Sequence, residues 1–146
     1  MKSVCINYSR ELVLNFLISA DGIAQLHDYG YQEDKLFMVI DLLEMSLEEL
    51  LQAHSKKFSL STVFQIGIQI IKRLEGLHRK GFLHRDIKAN NFMIGKNESR
   101  STVFIIDFGL VKKYKDSKTG LHIPFKAGKS LVGTARYASI ASHLGH

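Results

Sequence analysis

Residues 84–91, His84-Arg85-Asp86-Ile87-Lys88-Ala89-Asn90-Asn91, crowd polar and charged side chains into a short stretch between apolar neighbours. A second cluster, Asp107-Phe108-Gly109, follows directly on the apolar run Val103–Ile106. Another apolar run, Asn91–Ile94, precedes Val103, and Gly95-Lys96-Asn97-Glu98-Ser99-Arg100-Ser101-Thr102 joins the two as a plain polar turn. The order is loop, strand, turn, strand, loop. Two short strands so joined predict a hairpin, and apolar strands flanking each charged loop would hold it rigid.

The surrounding pattern is mixed. Val63, Ile66, Ile70, Leu74 and Leu77 recur at three and four residues, which predicts the buried face of a long helix ended by Gly81. Phe64, Ile68 and Ile71 make a second stripe, and a helix apolar on two sides is expected to be packed on two sides. Ser46 with Glu49 forms a capping box that predicts a short helix over Leu47–His54. Ile23–Tyr31 and Leu36–Ile40 read as strands joined by Gln32-Glu33-Asp34-Lys35. Residues 11–18 read as the end of an apolar helix that stops before Asp21-Gly22. Lys112–Lys129, which contains the one proline, Pro124, is basic and unpatterned and reads as a long exposed loop. The fold class expected is α+β.

A length of 146 residues suits one domain, and 45% hydrophobic with 23% charged residues excludes wholesale disorder. The single cysteine, Cys5, excludes an internal disulfide and fits a reduced compartment. No run approaches the roughly 18 apolar residues of a membrane span. The opening Met1-Lys2-Ser3-Val4-Cys5-Ile6-Asn7 lacks a signal core, so the expected location is cytoplasmic or nuclear, with no membrane partner. A net charge of +6 favours anionic partners: phosphates, acidic peptides or nucleic acid. No basic motif interleaved with aromatics appears, so a nucleic-acid partner is not expected. The seven histidines show no metal spacing, and no zinc is expected.

The two polar clusters carry residue types that suit phosphoryl transfer. That reaction asks the protein to position an already reactive group and to neutralise its charge. Asp86 can accept a hydrogen bond from an attacking hydroxyl, and Lys88, two residues on, can reach the same phosphoryl oxygen. Asn91 and Asp107 offer the hard oxygen ligands that magnesium takes when it lies between phosphates.

His84-Arg85-Asp86 in the order H-R-D-x-K-x-x-N, followed by a hairpin and Asp107-Phe108-Gly109, resembles the protein kinases. Asp107-Phe108-Gly109-Leu110-Val111-Lys112-Lys113-Tyr114 is similar to the casein kinase I family in particular. So are His122-Ile123-Pro124 and Ser130-Leu131-Val132-Gly133-Thr134-Ala135-Arg136-Tyr137-Ala138-Ser139-Ile140. The chain departs from that family at Ser139-Ile140-Ala141, where the family carries Ser-Ile-Asn, and at Ala89, where it usually has proline. The resemblance runs from about Glu11 onward.

The resemblance implies a serine/threonine protein kinase that uses ATP and Mg2+. Asp86 would be the catalytic base with Lys88 assisting, and Asn91 and Asp107 would bind magnesium. Arg85 would contact the activation segment, and Thr134 would hydrogen-bond near Asp86 and Lys88. Asp41-Leu42-Leu43 would be the hinge whose backbone holds adenine, with Ile40 as gatekeeper. Ile40 and Leu43 as simple core residues are compatible with that role. Arg136 and Lys129 would belong to a basic site reading a phosphate or acidic side chain on the substrate; taken singly, each is an ordinary solvated charge. Glu11 is the candidate for the helix glutamate that pairs with the ATP-binding lysine; a surface glutamate is the other reading. Expected partners are protein substrates with acidic or phosphorylated residues, and the chain is expected to be a monomer.

No two glycines lie two apart, so the family's G-x-G-x-x-G loop is absent. Lys2, the one lysine before Glu11, has no strand to sit on in this reading. The resemblance therefore implies an incomplete kinase-like fold: a small-lobe remnant of helix plus β-hairpin (1–40), a hinge (41–45), and the first, mainly helical half of the large lobe with its catalytic loop and activation segment (46–146). Apolar surface meant for missing helices is expected to be exposed. Without the glycine loop and the ATP-binding lysine, the chain by itself is expected to be severely impaired in catalysis. Two rival functions remain: a catalytically inactive remnant acting as a binding or regulatory module, and a small-molecule phosphotransferase. Intact Asp86, Lys88, Asn91, Asp107 and Gly109 argue against the first, and the Gly133–Tyr137 segment argues against the second.

Overall fold

The computed structural model describes residues 3–5, 21–32, 35–126 and 128–145. Strands β1 (Ser3–Cys5), β2 (Leu26–Gln32) and β3 (Lys35–Ile40) precede helices α1 (Leu47–Ala53) and α2 (Leu60–Arg79). Short strands β4 (Phe82–Leu83), β5 (Phe92–Ile94), β6 (Val103–Ile105) and β7 (Lys112–Lys113) follow, then helix α3 (Ile140–His143). β1, β3 and β2 form an antiparallel sheet with β3 in the middle, while β4 pairs with β7 and β5 with β6 as two-stranded ribbons. The fold is α+β, as the patterning implies.

β1 is a strand that the patterning does not predict. Ser3, Val4 and Cys5 pair with Val39, Met38 and Phe37. A three-residue strand whose partner is distant in sequence has no local signature, so pattern reading passes over it. Lys2 itself, the expected 11–18 helix, Glu11 and the tip Glu33-Asp34 lie outside the described residues.

The expected strand from Ile23 begins instead at Leu26, and its pairing with β3 shifts register between Leu26 and Asp28. Ile23 makes a parallel bridge to Ile105, and Ile105 N–H donates to Gly22 O at 2.8 Å. The chain thus touches β6 before it enters the sheet.

α1 starts where its capping box predicts. Ser46 N–H donates to Glu49 Oε2 at 2.7 Å, and Glu49 N–H donates back to Ser46 Oγ at 3.2 Å. Such a cap stabilises a helix by about 1 kcal/mol. α2 starts at N-cap Ser59, whose Oγ accepts Thr62 N–H at 3.1 Å. Its inner face places Leu77, 1% exposed, in one core with Met38, Leu47, Phe82, Phe92, Ile105 and Phe108. Ile66, Ile70 and Leu74 pack against that core.

One expectation for α2 fails. Val63 is exposed rather than buried, because the core lies beside the later turns of the helix. The second stripe provides the exposed apolar surface that was expected: Phe64 is 61% and Ile71 67% exposed, and Ile68 is exposed as well. The 112–129 stretch is also more ordered than expected, since Lys112–Lys113 pairs with β4 and Lys115 bridges His122. Among the described residues no helix is long and apolar enough to cross a membrane.

Gly67 sits inside α2, and a Cβ built there meets nothing within 4 Å. Gly67→Ala should therefore raise stability by about 0.5–1 kcal/mol. The measurement is the urea midpoint at unchanged m-value; a lowered midpoint would show that something packs on that position.

Candidate active site

The 84–91 loop runs from β4 into β5 and folds back on Asp86, which is 7% exposed. Buried carboxylates need partners, and four donors supply them. Lys88 Nζ donates to Oδ2 at 2.7 Å and Asn91 Nδ2 donates to the same oxygen at 3.0 Å. Thr134 donates to Oδ1 through both its N–H at 2.9 Å and its Oγ1 at 2.8 Å. Burial alone would push the Asp86 carboxyl up; the hydrogen bonds from Lys88, Thr134 and Asn91 outweigh it and hold it down at about 2. Lys88 Nζ also donates to Thr134 Oγ1 at 2.9 Å, closing a three-residue ring.

Two backbone features make room for this ring. Arg85 has φ +69°, a left-handed conformation that costs a non-glycine residue energy and persists where surroundings enforce it. Its side chain is tied down, since Nε donates to Leu110 O at 2.6 Å. Gly133 has φ +91°, and a Cβ there would collide with the Arg85 carbonyl oxygen. A side chain at 133 would push Thr134 off Asp86.

The β5–β6 ribbon brings Asn91 and Asp107 to one end. Phe92 pairs with Ile105, and Ile106 N–H donates to Asn91 O at 2.9 Å. The Asn91 amide NH2 is committed to Asp86, bonding its carbonyl at 2.8 Å as well as its carboxylate, which turns Oδ1 away from that carboxylate. Asp107 is exposed, with φ +60°, and its Oδ1 accepts Gly109 N–H at 3.3 Å. An amide oxygen and a carboxylate at neighbouring strand ends are hard oxygen donors that fit a magnesium ion, with its remaining ligands drawn from phosphate and water.

His84 links the two loops. It is buried, accepts Asp86 N–H on Nδ1 at 3.3 Å, and so carries its proton on Nε2, which donates to Ile106 O at 3.0 Å. Burial lowers its pKa and favours this neutral form. Its ring lies against Phe108, with centroids 5.6 Å apart.

At the sheet edge of the site, Ile40 packs against the core and Leu43 is buried. Asp41 is occupied. Its N–H donates to Gln25 O at 3.1 Å, Oδ2 accepts Gln25 N–H at 2.9 Å, and Oδ1 lies 2.7 Å from His27 Nε2. Among the described residues no hydrogen bond engages the backbone of Leu42 or Leu43. Of the two expected basic residues, Arg136 lies over the Tyr137 ring and Lys129 N–H donates to Gly145 O at 3.3 Å, with both side chains exposed.

A family model described as protein kinase domain matches residues 2–140. The chain belongs to the protein kinase family. Protein kinase domains transfer a phosphoryl group from ATP with the help of magnesium. In this kinase chain the loops around Asp86 and Asp107 belong to a single hydrogen-bonded unit. Pattern reading missed the linking role of His84 and the clearance role of Gly133. Both stand inside the quoted motifs, and a glycine immediately before Thr134 was the available signal.

The Asp86 carboxyl lies below its ordinary 3.8, so its contribution to stability is fully present above about pH 4 and is lost as pH falls through about 2. Wild type should therefore lose more stability over that window than Asp86→Asn does. Parallel denaturant-midpoint curves for the two proteins would contradict the depressed pKa.

Proposed function

We propose that this chain is a serine/threonine protein kinase domain of casein kinase I type. It moves the γ-phosphoryl group of ATP to Ser or Thr of proteins, favouring acidic or already phosphorylated substrates. The observation that carries the reading is the Asp86–Lys88–Thr134 ring beside the Asn91–Asp107 oxygen pair.

All four lone-pair positions of the Asp86 carboxylate are filled. For Asp86 to accept a hydrogen bond from the substrate hydroxyl, one donor must leave. Lys88 has the flexible stem, and its ammonium is the group a phosphoryl oxygen attracts. Its departure from Oδ2 couples the arrival of the phosphoryl group to orientation of the nucleophile. With Thr134 and Asn91 still bonded to it, the carboxylate is held in place to orient the hydroxyl, which suits a loose transition state where orientation matters more than early deprotonation. Asn91 and Asp107 would hold magnesium, which neutralises phosphate charge when bound. Arg85, bonded to Leu110 O, holds the segment that follows Asp107.

Residues 1–40 are assigned to the small lobe, 41–45 to the hinge and 46–146 to the start of the large lobe. The unengaged backbone of Leu42 and Leu43 supports an adenine contact there, with Ile40 as gatekeeper. Asp41 contributes through its carbonyl alone, since its N–H is taken by Gln25. Arg136 and Lys129 are the exposed basic residues offered to acidic or phosphorylated side chains. The domain acts as a monomer in the cytoplasm or nucleus.

The test is transfer of label from Mg-ATP to serine- and threonine-containing acidic peptides, with and without a phosphoserine. Asp86→Asn should lower turnover by about 10²–10⁴-fold with nucleotide affinity nearly unchanged, and equal turnover sinks the base assignment. Asp107→Ala should raise the magnesium concentration needed for ATP binding; unchanged metal dependence would show that the metal site is wrong. Label on tyrosine would reject the serine/threonine assignment.

A further inference from the structure

Strand β6 leads straight into Asp107, and β5 borders it on one edge. The opposite edge is completed by side chains. Gln69 Nε2 donates to Ser101 O at 3.1 Å, and Gln69 Oε1 accepts Val103 N–H at 2.8 Å. One helical turn further along α2, Arg73 Nε donates to Val103 O at 3.1 Å. Residues four apart share a helix face, so Gln69 and Arg73 grip the strand edge as a backbone neighbour would. Beyond them, Gly22 takes over at Ile105. Gly22 has φ +71°, and a Cβ there would collide with the Arg73 side chain, so the three contacts are packed as one clamp.

Asp107 needs such support. Its φ of +60° is unfavourable for a side-chain-bearing residue, and among the described residues its carboxylate accepts a single long bond, from Gly109 N–H. We propose that Gln69 and Arg73 are positioning residues for Asp107. They act through β6 and set the carboxylate beside Asn91, where the two would hold magnesium. The inference rests on the phosphotransfer reading above and adds to it a support on α2. Groups that orient a metal ligand typically change metal affinity by about 10–100-fold when removed.

Gln69→Leu keeps the volume and deletes both strand-edge bonds. Two measurements on the full chain read the effect. Without nucleotide or metal, amide hydrogen exchange at Val103 and Ile105 should be faster than in wild type, while Leu77 keeps its protection. In calorimetric titration, the magnesium concentration supporting half-maximal ATP binding should rise about tenfold, and ATP affinity in EDTA should not change. A loss confined to folding would weaken both kinds of ATP binding together, and that outcome overturns the inference.

Gln69→Glu, which keeps the acceptor for Val103 N–H, should recover most of the magnesium dependence. Arg73→Met should lose it in part. These two variants decide the matter if Gln69→Leu does not fold. A folded Gln69→Leu with faster Val103 exchange and wild-type magnesium dependence refutes the positioning role and leaves the phosphotransfer reading standing. A wild-type chain without magnesium-dependent ATP binding removes both.

Discussion

A buried negative charge at Asp86 is the constraint around which this molecule is arranged. Removing an ionised carboxylate from water without compensation is too costly for a small domain to sustain. Four donors from Lys88, Asn91 and Thr134 meet the charge, and each imposes a demand elsewhere. Reaching Asp86 from Thr134 requires the bare backbone of Gly133 against Arg85. Turning the carboxylate inward puts Arg85 in a left-handed conformation. Donating from Asn91 aligns the start of β5, and β5 aligns β6. The Asp86 loop is therefore tied into the segments around it on every side that these donors come from.

Much of this was legible in the residues, for identifiable reasons. Ser46 with Glu49 and the apolar spacing of Ile66, Ile70, Leu74 and Leu77 act over one or two helical turns, so local pattern and tertiary structure agree. The grouping of Asp86, Lys88, Asn91 and Asp107 was readable because a short ribbon with a polar turn can fold back in one way, bringing its two ends together.

What escaped notice depends on contacts between distant segments. β1 exists because β3 offers an edge more than thirty residues later. Ile23 left the predicted strand because Ile105 was available to bridge. Gln69 and Arg73 look like routine polar positions on a helix until the edge of β6 is laid against them. The buried ring of His84 has a similar history: one nitrogen meets the nearby Asp86 N–H, but the other meets Ile106 O, which only the folded chain brings near. Val63 and the Phe64–Ile71 stripe show the converse, apolar spacing with no described partner to bury it.

The contact between Thr134 and Asp86 spans 48 residues of chain, and this separation has a kinetic meaning. Helix α2 and the β5–β6 ribbon are local and can form early, whereas closing a loop of that length comes later because its entropy must be met before the contact returns anything. Until it closes, Asp86 lacks two of its four donors, and its pKa lies nearer that of a free aspartate. The Asp86 cluster therefore depends on a contact far less local than those of the hairpin beside it. The full set of donors around Asp86 is complete only when that long-range closure is made.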